Sequence, residues 1–216
     1  MDDKEYWENY YSQRTAEINP SLFAQYVKEN VIQNHKSIIE LGCGNGRDAI
    51  YFAANSFEVV AVDQVSNEIE FLKYRYNQLK NIDFECTDFT NLDNSRKFDL
   101  VYSRFTLHSI TENQENHVID WAFENLNANG KFCVEVRGQK NEIFGKGTPV
   151  ENQANAYIFD DHYRRFLNLE TFVNKLITIG FVIEFSAEEK GFAPYKRTDE
   201  TYIRVIAAKK PHERRF

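Results

Sequence analysis

Residues 37–53, SIIELGCGNGRDAIYFA, constrain this chain more than any other stretch, because an apolar strand runs into three closely spaced glycines and then into a helix. Ile38, Ile39 and Leu41 show almost no alternation, which predicts a strand covered on both faces in a parallel sheet. Gly42, Gly44 and Gly46 allow a sharp turn and a close approach to a ligand. The helix behind them, with Ala49, Ile50 and Ala53 on one side, aims its N-terminus at that ligand. A dinucleotide fingerprint would need its third glycine where Arg47 stands, so a nicotinamide enzyme is disfavoured. Asp63 closes the next apolar strand, 58–62, at about the separation where an acid meets ribose hydroxyls.

Two further segments extend the pattern. Cys86-Thr87-Asp88-Phe89 follows a third strand, and Lys97-Phe98-Asp99-Leu100-Val101-Tyr102-Ser103 precedes a helix and the strand that begins at Gly130. With these the sequence resembles the class I S-adenosylmethionine-dependent methyltransferases over most of its length. The resemblance implies a doubly wound α/β, Rossmann-like fold: a seven-stranded, mostly parallel sheet, helices on both faces and an antiparallel last strand. It also implies S-adenosyl-L-methionine as methyl donor and S-adenosyl-L-homocysteine as product. Within the family, residues 102–110 and 191–207 look like enzymes of bacterial capsule or surface-polysaccharide pathways, including those of phosphoramidate-type decorations.

Length and charge narrow the partners. A chain of 216 residues supports one well-buried core, so 1–216 reads as a single domain, monomeric or homodimeric. A formal charge of −7 gives no general attraction to phosphate backbones, and basic residues form a tract only at 209–215; nucleic acid is not the expected partner. Cys43, Cys86 and Cys133 lack metal-ligand spacing and read as reduced, buried small residues, which fits a cytoplasmic location. The acidic, aromatic start MDDKEYWENYY is not a signal peptide, and no apolar run approaches the roughly 20 residues of a bilayer span.

Along the chain, 5–14 reads as an aromatic helix in an N-terminal helical cap, 1–34, with Tyr6 and Tyr10 on one stripe and Trp7 and Tyr11 on the next. It serves either as core or as a lid over the methionine end of the cofactor, the latter by analogy with related enzymes. Asn19 and Pro20 are the expected N-cap and first residue of a helix carrying Phe23, Tyr26, Val27 and Val31. Strands are expected at 82–86, 98–103 and 131–137, with a helix from about 115 to 126. Residues 138–158 turn Gly-, Asn- and Pro-rich and read as a loop, and 138–166 as a substrate-side segment. A helix with Leu169, Phe172, Val173 and Leu176 should end at Gly180, and the turn 189–199 between two closing strands carries Tyr195, Lys196 and Arg197.

Candidate roles follow from position at the carboxyl ends of the strands. Asp63 would accept both vicinal ribose hydroxyls, with Gln64 edging the adenine. Glu40, a carboxylate inside an apolar strand, must find donors in the glycine loop or in the cofactor's amino group. The family pattern assigns Asp88 and the Phe89 backbone to the adenine, unless Asp88 only caps its turn; Ser103, Arg47, Tyr6 and Tyr10 complete the cofactor set. Arg104 and His108, at i and i+4, would share one face if their segment is helical, with His108 as a candidate base. A base is required only for a protonated acceptor such as a sugar hydroxyl. Ser103-Arg104-Phe105-Thr106 stands where adenine and amide N-methyltransferases of this fold carry D/N-P-P-Y.

Arg104, Arg137, His162, Arg164 and Arg165, with Tyr195, Lys196 and Arg197, suggest a basic mouth for a small anionic acceptor such as a phosphate, phosphoramidate or nucleotide-linked sugar. Pairing of Arg164 and Arg165 with Asp160 and Asp161 is the plainer alternative. No metal is expected, since the displacement needs no Lewis acid and no ligand cluster is spaced for one. A non-catalytic cofactor-binding subunit is the remaining rival.

Overall fold

Each unalternating apolar run is a strand with a core on either side. The computed structural model describes residues 19–32, 34 and 36–210, so the expected helix with Tyr6 and Tyr10 lies outside the described residues. β1 (Ser37–Leu41), β2 (Glu58–Asp63), β3 (Ile82–Cys86), β4 (Phe98–Arg104), β5 (Leu126–Val136), β9 (Phe181–Glu189) and β10 (Tyr202–Lys209) form one sheet ordered β3-β2-β1-β4-β5-β10-β9. β10 runs antiparallel to both β5 and β9, the other pairings being parallel, as the resemblance implied. Ile38, Leu100 and Tyr102 face α1 (Leu22–Asn30), α2 (Arg47–Ala54) and α3 (Ser66–Arg75), whereas Ile39, Val101 and Phe132 face α4 (Glu112–Asn125) and α5 (Leu169–Ile179). Alternate residues of one strand thus serve two cores, and burying each such side chain contributes about 1.5–3 kcal/mol.

Local signals explain the element ends. α4 begins at Glu112, earlier than the periodicity suggested, because Thr111 and Gln114 form a capping box. α5 stops at Gly180, φ +119°, as expected. The N-cap of α1 is Ser21, not Asn19, its hydroxyl accepting from Ala24 N. β5 begins at Leu126, directly after α4, so the turn-like NANG at 127–130 lies within the strand, Asn129 taking φ +65°. Cys43 and Cys133 are buried as expected, but Cys86, ending β3, is exposed.

Residues expected as a loop contain a second, three-stranded sheet: β6 (Thr148–Pro149), β7 (Ala156–Phe159) and β8 (His162–Arg165). Asp160 and Asp161 are its hairpin turn, with φ +51° and +56°. Gly147 lets β6 close on β7, because a Cβ there would lie 2.2 Å from the Ile158 carbonyl oxygen. Polar composition concealed these strands.

Candidate functional site

A cleft of about 1050 Å³ opens along the carboxyl ends of the strands, and its lining follows sheet order. Asp88 and Phe89 follow β3, Asp63 ends β2 with Gln64 after it, and residues 42–45 with Arg47 follow β1; Arg104 ends β4, Arg137 follows β5 and Tyr202 begins β10. Gly46, expected at the cofactor, lies off the lining, where a Cβ would meet Leu72 and Phe84.

The glycine loop supplies the narrow middle. Gly42, Gly44 and Gly46 all hold positive φ, and a Cβ on Gly42 would meet Thr106 Cγ2 at 2.5 Å. Asp63 fixes this loop: Oδ2 accepts from Gly44 N at 2.9 Å and Oδ1 from Val65 N at 3.0 Å. Burial raises its carboxyl above the usual range, and the Val65 and Gly44 amides pull it back. Each carboxylate oxygen keeps a second lone-pair direction, so the groups that hold the loop can still accept from a ligand.

Glu40 is 4% exposed, lines the cleft, and has no hydrogen-bond partner for Oε2 among the described residues. Burial, and next the charge of Asp48, push its carboxyl well above its ordinary range. An orphaned buried carboxylate oxygen of this kind fits a cationic group such as the ammonium of an amino-acid moiety. Asp88 caps the turn Phe89–Asn91, Oδ1 accepting from Thr90 N at 2.9 Å, while still lining the cleft. Arg47 lines it too, with Nε 3.9 Å from Asp48.

Asp48 was not singled out from the sequence. It is 2% exposed and accepts from Ser21 N and Ser21 Oγ, both at 2.7 Å, and from Tyr102 Oη at 2.8 Å. This network ties the start of α1 to the start of α2 at the cleft wall. Its signal, an acid directly after the glycine loop, was present but looked like an ordinary first-turn helix acid.

At the other end the segment between β4 and α4 is not α-helical. The chain leaves β4 at Arg104, Phe105 takes φ +61°, and only the three-residue 3-10 turn Leu107–Ser109 follows, so Arg104 and His108 share no helical face. His108 is 5% exposed and lies outside the cleft lining; burial, with Arg137 the next cause, depresses its imidazole well below the usual range. Ser103 is also displaced: fully buried, it shares a 2.6 Å hydrogen bond with Thr106, which lines the cleft instead.

The basic mouth is smaller than the sequence suggested. His162, Arg164 and Arg165 lie off the cleft lining because their hairpin packs toward α4 and the Leu107–Ser109 turn. Arg165 bonds buried Glu115 and the Ile110 carbonyl, His162 Nε2 lies 3.3 Å from Ser109 Oγ, and Arg164 bonds the Phe159 carbonyl. Arg197 is also outside the lining, whereas Tyr195 and Lys196 belong to it.

Arg104 and Arg137 remain, each braced by a carboxylate. Arg104 Nε donates to Glu135 Oε1 at 3.0 Å and its guanidinium covers the Phe105 ring at 4.0 Å. Arg137 Nη1 donates to Glu200 Oε2 at 2.5 Å and Asn141 Oδ1 at 2.8 Å, its guanidinium lying 5.2 Å from the centroid of the Tyr202 ring. Each bonds through one nitrogen among the described residues, which leaves the other donors of the fork for a ligand. Glu135 was missed, although as a carboxylate inside the apolar strand CVEV it gives the same signal that drew attention to Glu40; Glu200, which the sequence places beside Arg197, braces Arg137 instead. Among the described residues no group of three or more His, Cys, Asp or Glu is placed to hold a metal ion, and no helix is long and apolar enough to cross a membrane.

Comparisons with known proteins agree with this geometry. Residues 38–130 match the family model described as a methyltransferase domain. A putative methyltransferase, 235L, of Invertebrate iridescent virus 6 is 33% identical over 85 residues, covering 38% of this chain and 31% of the viral protein. An uncharacterized methyltransferase, C70.08c, of Schizosaccharomyces pombe is 26% identical over 180 residues, covering 76% of this chain and 69% of the yeast protein. The chain therefore spans only about a third of the viral relative and about two thirds of the yeast one. Among solved structures, Burkholderia thailandensis 1,6-didemethyltoxoflavin-N1-methyltransferase, with its substrate and S-adenosylhomocysteine bound, superposes with a TM-score of 0.69. It is 18% identical, the match covering 97% of this chain and 84% of that one, and so is a likeness of fold.

Proposed function

We propose that this chain is a class I S-adenosylmethionine-dependent methyltransferase, a reading supported by its sheet order and the matched methyltransferase domain, and that it transfers the methyl group to a small acceptor whose anionic group is held by Arg104 and Arg137. Asp63 and Gln64 take the ribose and adenine edge, Asp88 and the Phe89 backbone the adenine, and Glu40 the methionine ammonium. S-adenosylmethionine supplies an electrophilic methyl on a sulfonium, and this chain's own task is to bind it, hold the acceptor in line and exclude water.

One observation carries the acceptor reading: both arginines lining the far end are braced by carboxylates and, among the described residues, keep uncommitted donors. A braced fork loses little freedom on binding an anion and matches it in two bonds. Lys196, whose Nζ sits 5.0 Å from the centroid of the Tyr195 ring, adds a further cation to the lining. An oxygen of a phosphate, phosphoramidate or nucleotide-linked sugar fits this end, in keeping with the resemblance to surface-polysaccharide enzymes. The rival reading, a sugar hydroxyl deprotonated by His108, suffers from the burial of that residue off the cleft. The test is methyl transfer to a panel of such acceptors with labelled donor. Arg104→Ala or Arg137→Ala should raise acceptor KM and lower turnover far more than His108→Ala, with inorganic phosphate competing. A His108→Ala enzyme that loses about 10²-fold in turnover at unchanged acceptor KM would favour the hydroxyl instead.

A further inference from the structure

Glu135, fully buried at the end of β5, is the point on which the acceptor end converges. Its carbonyl accepts from Phe105 N at 2.8 Å, holding the residue that turns the chain at φ +61°. Its Oε1 accepts from Arg104 Nε at 3.0 Å, and its Oε2 from Arg204 Nε and Nη2 at 3.1 and 2.7 Å. Arg204, on β10, is 5% exposed and off the cleft lining. Its guanidinium lies 4.2 Å from the Phe192 ring centroid, 4.8 Å from that of Phe23 and 4.9 Å from that of Tyr26, and it donates to the Phe192 carbonyl at 3.3 Å. Phe192 stands next to the residues of 193–196 that line the cleft, and Phe23 and Tyr26 belong to α1, whose cap holds Asp48.

A buried carboxylate between two guanidiniums is a poor source of stability, since the desolvation of three charges roughly cancels their attraction and an apolar cluster would serve as well. What such a cluster does supply is fixed geometry, because it is favourable only while all its bonds are made.

We propose that the Arg104–Glu135–Arg204 triad is a positioning clamp, in which Glu135 sets the Arg104 fork and Arg204 ties that setting to the 190–200 segment, so that the acceptor pocket forms as one unit. Arg204 acts through Glu135 and Phe192 and is a positioning residue, not one that touches the acceptor. The clamp rests on the reading that Arg104 faces the acceptor's anionic group.

Two variants of the full chain test it, Arg204→Lys and Glu135→Gln. Lysine keeps the charge, but a point ammonium cannot make two bonds to Oε2, reach the Phe192 carbonyl and stay within about 5 Å of three ring centroids at once. Amide hydrogen exchange of the S-adenosylhomocysteine complex reads the 190–200 segment, and calorimetry reads the affinities for S-adenosylhomocysteine and for inorganic phosphate. In Arg204→Lys, exchange across 190–200 should quicken about tenfold with β1 and β2 unchanged, and phosphate should bind about tenfold more weakly while S-adenosylhomocysteine shifts less than about twofold. Glu135→Gln should give the same split; if it does not fold, Arg204→Lys decides alone. Unchanged exchange at 190–200 in folded Arg204→Lys overturns the clamp, and so does equal weakening of both ligands, the mark of general damage. Phosphate affinity that is absent in the wild type, or insensitive to Arg104→Ala, overturns the anionic-acceptor reading instead, and the exchange measurement then judges the clamp by itself.

Discussion

Replacing Asp63 by Asn changes one atom and asks whether this carboxylate organises the cofactor site. In the native protein its two oxygens accept from two backbone donors, Gly44 N at 2.9 Å and Val65 N at 3.0 Å, in a position only 8% exposed. Asparagine has one acceptor and one NH₂ donor, so whichever way the amide turns, one backbone N–H loses its acceptor and faces another donor. Losing one hydrogen bond to a charged group and leaving its partner unsatisfied costs about 2–3 kcal/mol, which for a chain of this size lowers Tm by roughly 4–12 °C. The Gly44 amide belongs to the loop proposed to carry the cofactor, and the oxygen exchanged for NH₂ is one of the two proposed for the ribose. Affinity for S-adenosylhomocysteine should therefore fall by a further 1.5–3 kcal/mol, about 10- to 150-fold. Thermal unfolding without ligand and calorimetric titration with it separate the two effects. An Asp63→Asn protein with native Tm and native affinity would refute both the structural and the ribose argument; native affinity with a lowered Tm would leave Asp63 as a loop brace alone.

Three further outcomes are expected. Gly42→Ala should destabilise by about 1–3 kcal/mol in urea unfolding, since φ is +69° and the new Cβ would sit 2.5 Å from Thr106 Cγ2, and Thr106→Ser, which removes that methyl, should recover part of the loss. Tyr102→Phe keeps the ring against Phe23 and Phe52 but deprives Asp48 of a 2.8 Å donor, so stability should fall by about 1–2 kcal/mol by the same measurement. Burial, with Arg164 and Arg137, pushes the His162 imidazole down from 6.5 to about 4, so the unfolded chain binds the extra proton first. Its contribution to stability is present above pH 6.5 and is lost as pH falls through about 4, amounting to at most about 3 kcal/mol; urea unfolding at stepped pH should show a shallower acid loss in His162→Gln than in the wild type.

The sequence by itself determined the main parallel strands and the glycine-loop end of the cleft. Unalternating runs such as 37–41 can only be satisfied between two cores, and three glycines followed by a helix have few backbone solutions, so Gly42–Gly46 and Asp63 were legible from spacing alone. Glu40 was legible as well, because a carboxylate in an apolar strand requires a partner wherever the strand lies. The second sheet at 148–165 was hidden, since its register is carried by turn residues and by Gly147 rather than by apolar periodicity. The acceptor end was decided by tertiary structure. Arginines are identical letters in a sequence, and what separates Arg104 from Arg165 is the carboxylate that the fold brings to each. Glu135 lies 31 residues from Arg104 and leaves part of its fork open at the cleft, whereas Glu115, 50 residues from Arg165, buries it beside α4. Asp48 finds Ser21 and Tyr102 across separations of 27 and 54 residues in the same way. Local physics fixes φ, periodicity and caps within a few residues, but the partner of a charge is chosen by which strands lie side by side, and sheet order is a property of the whole chain.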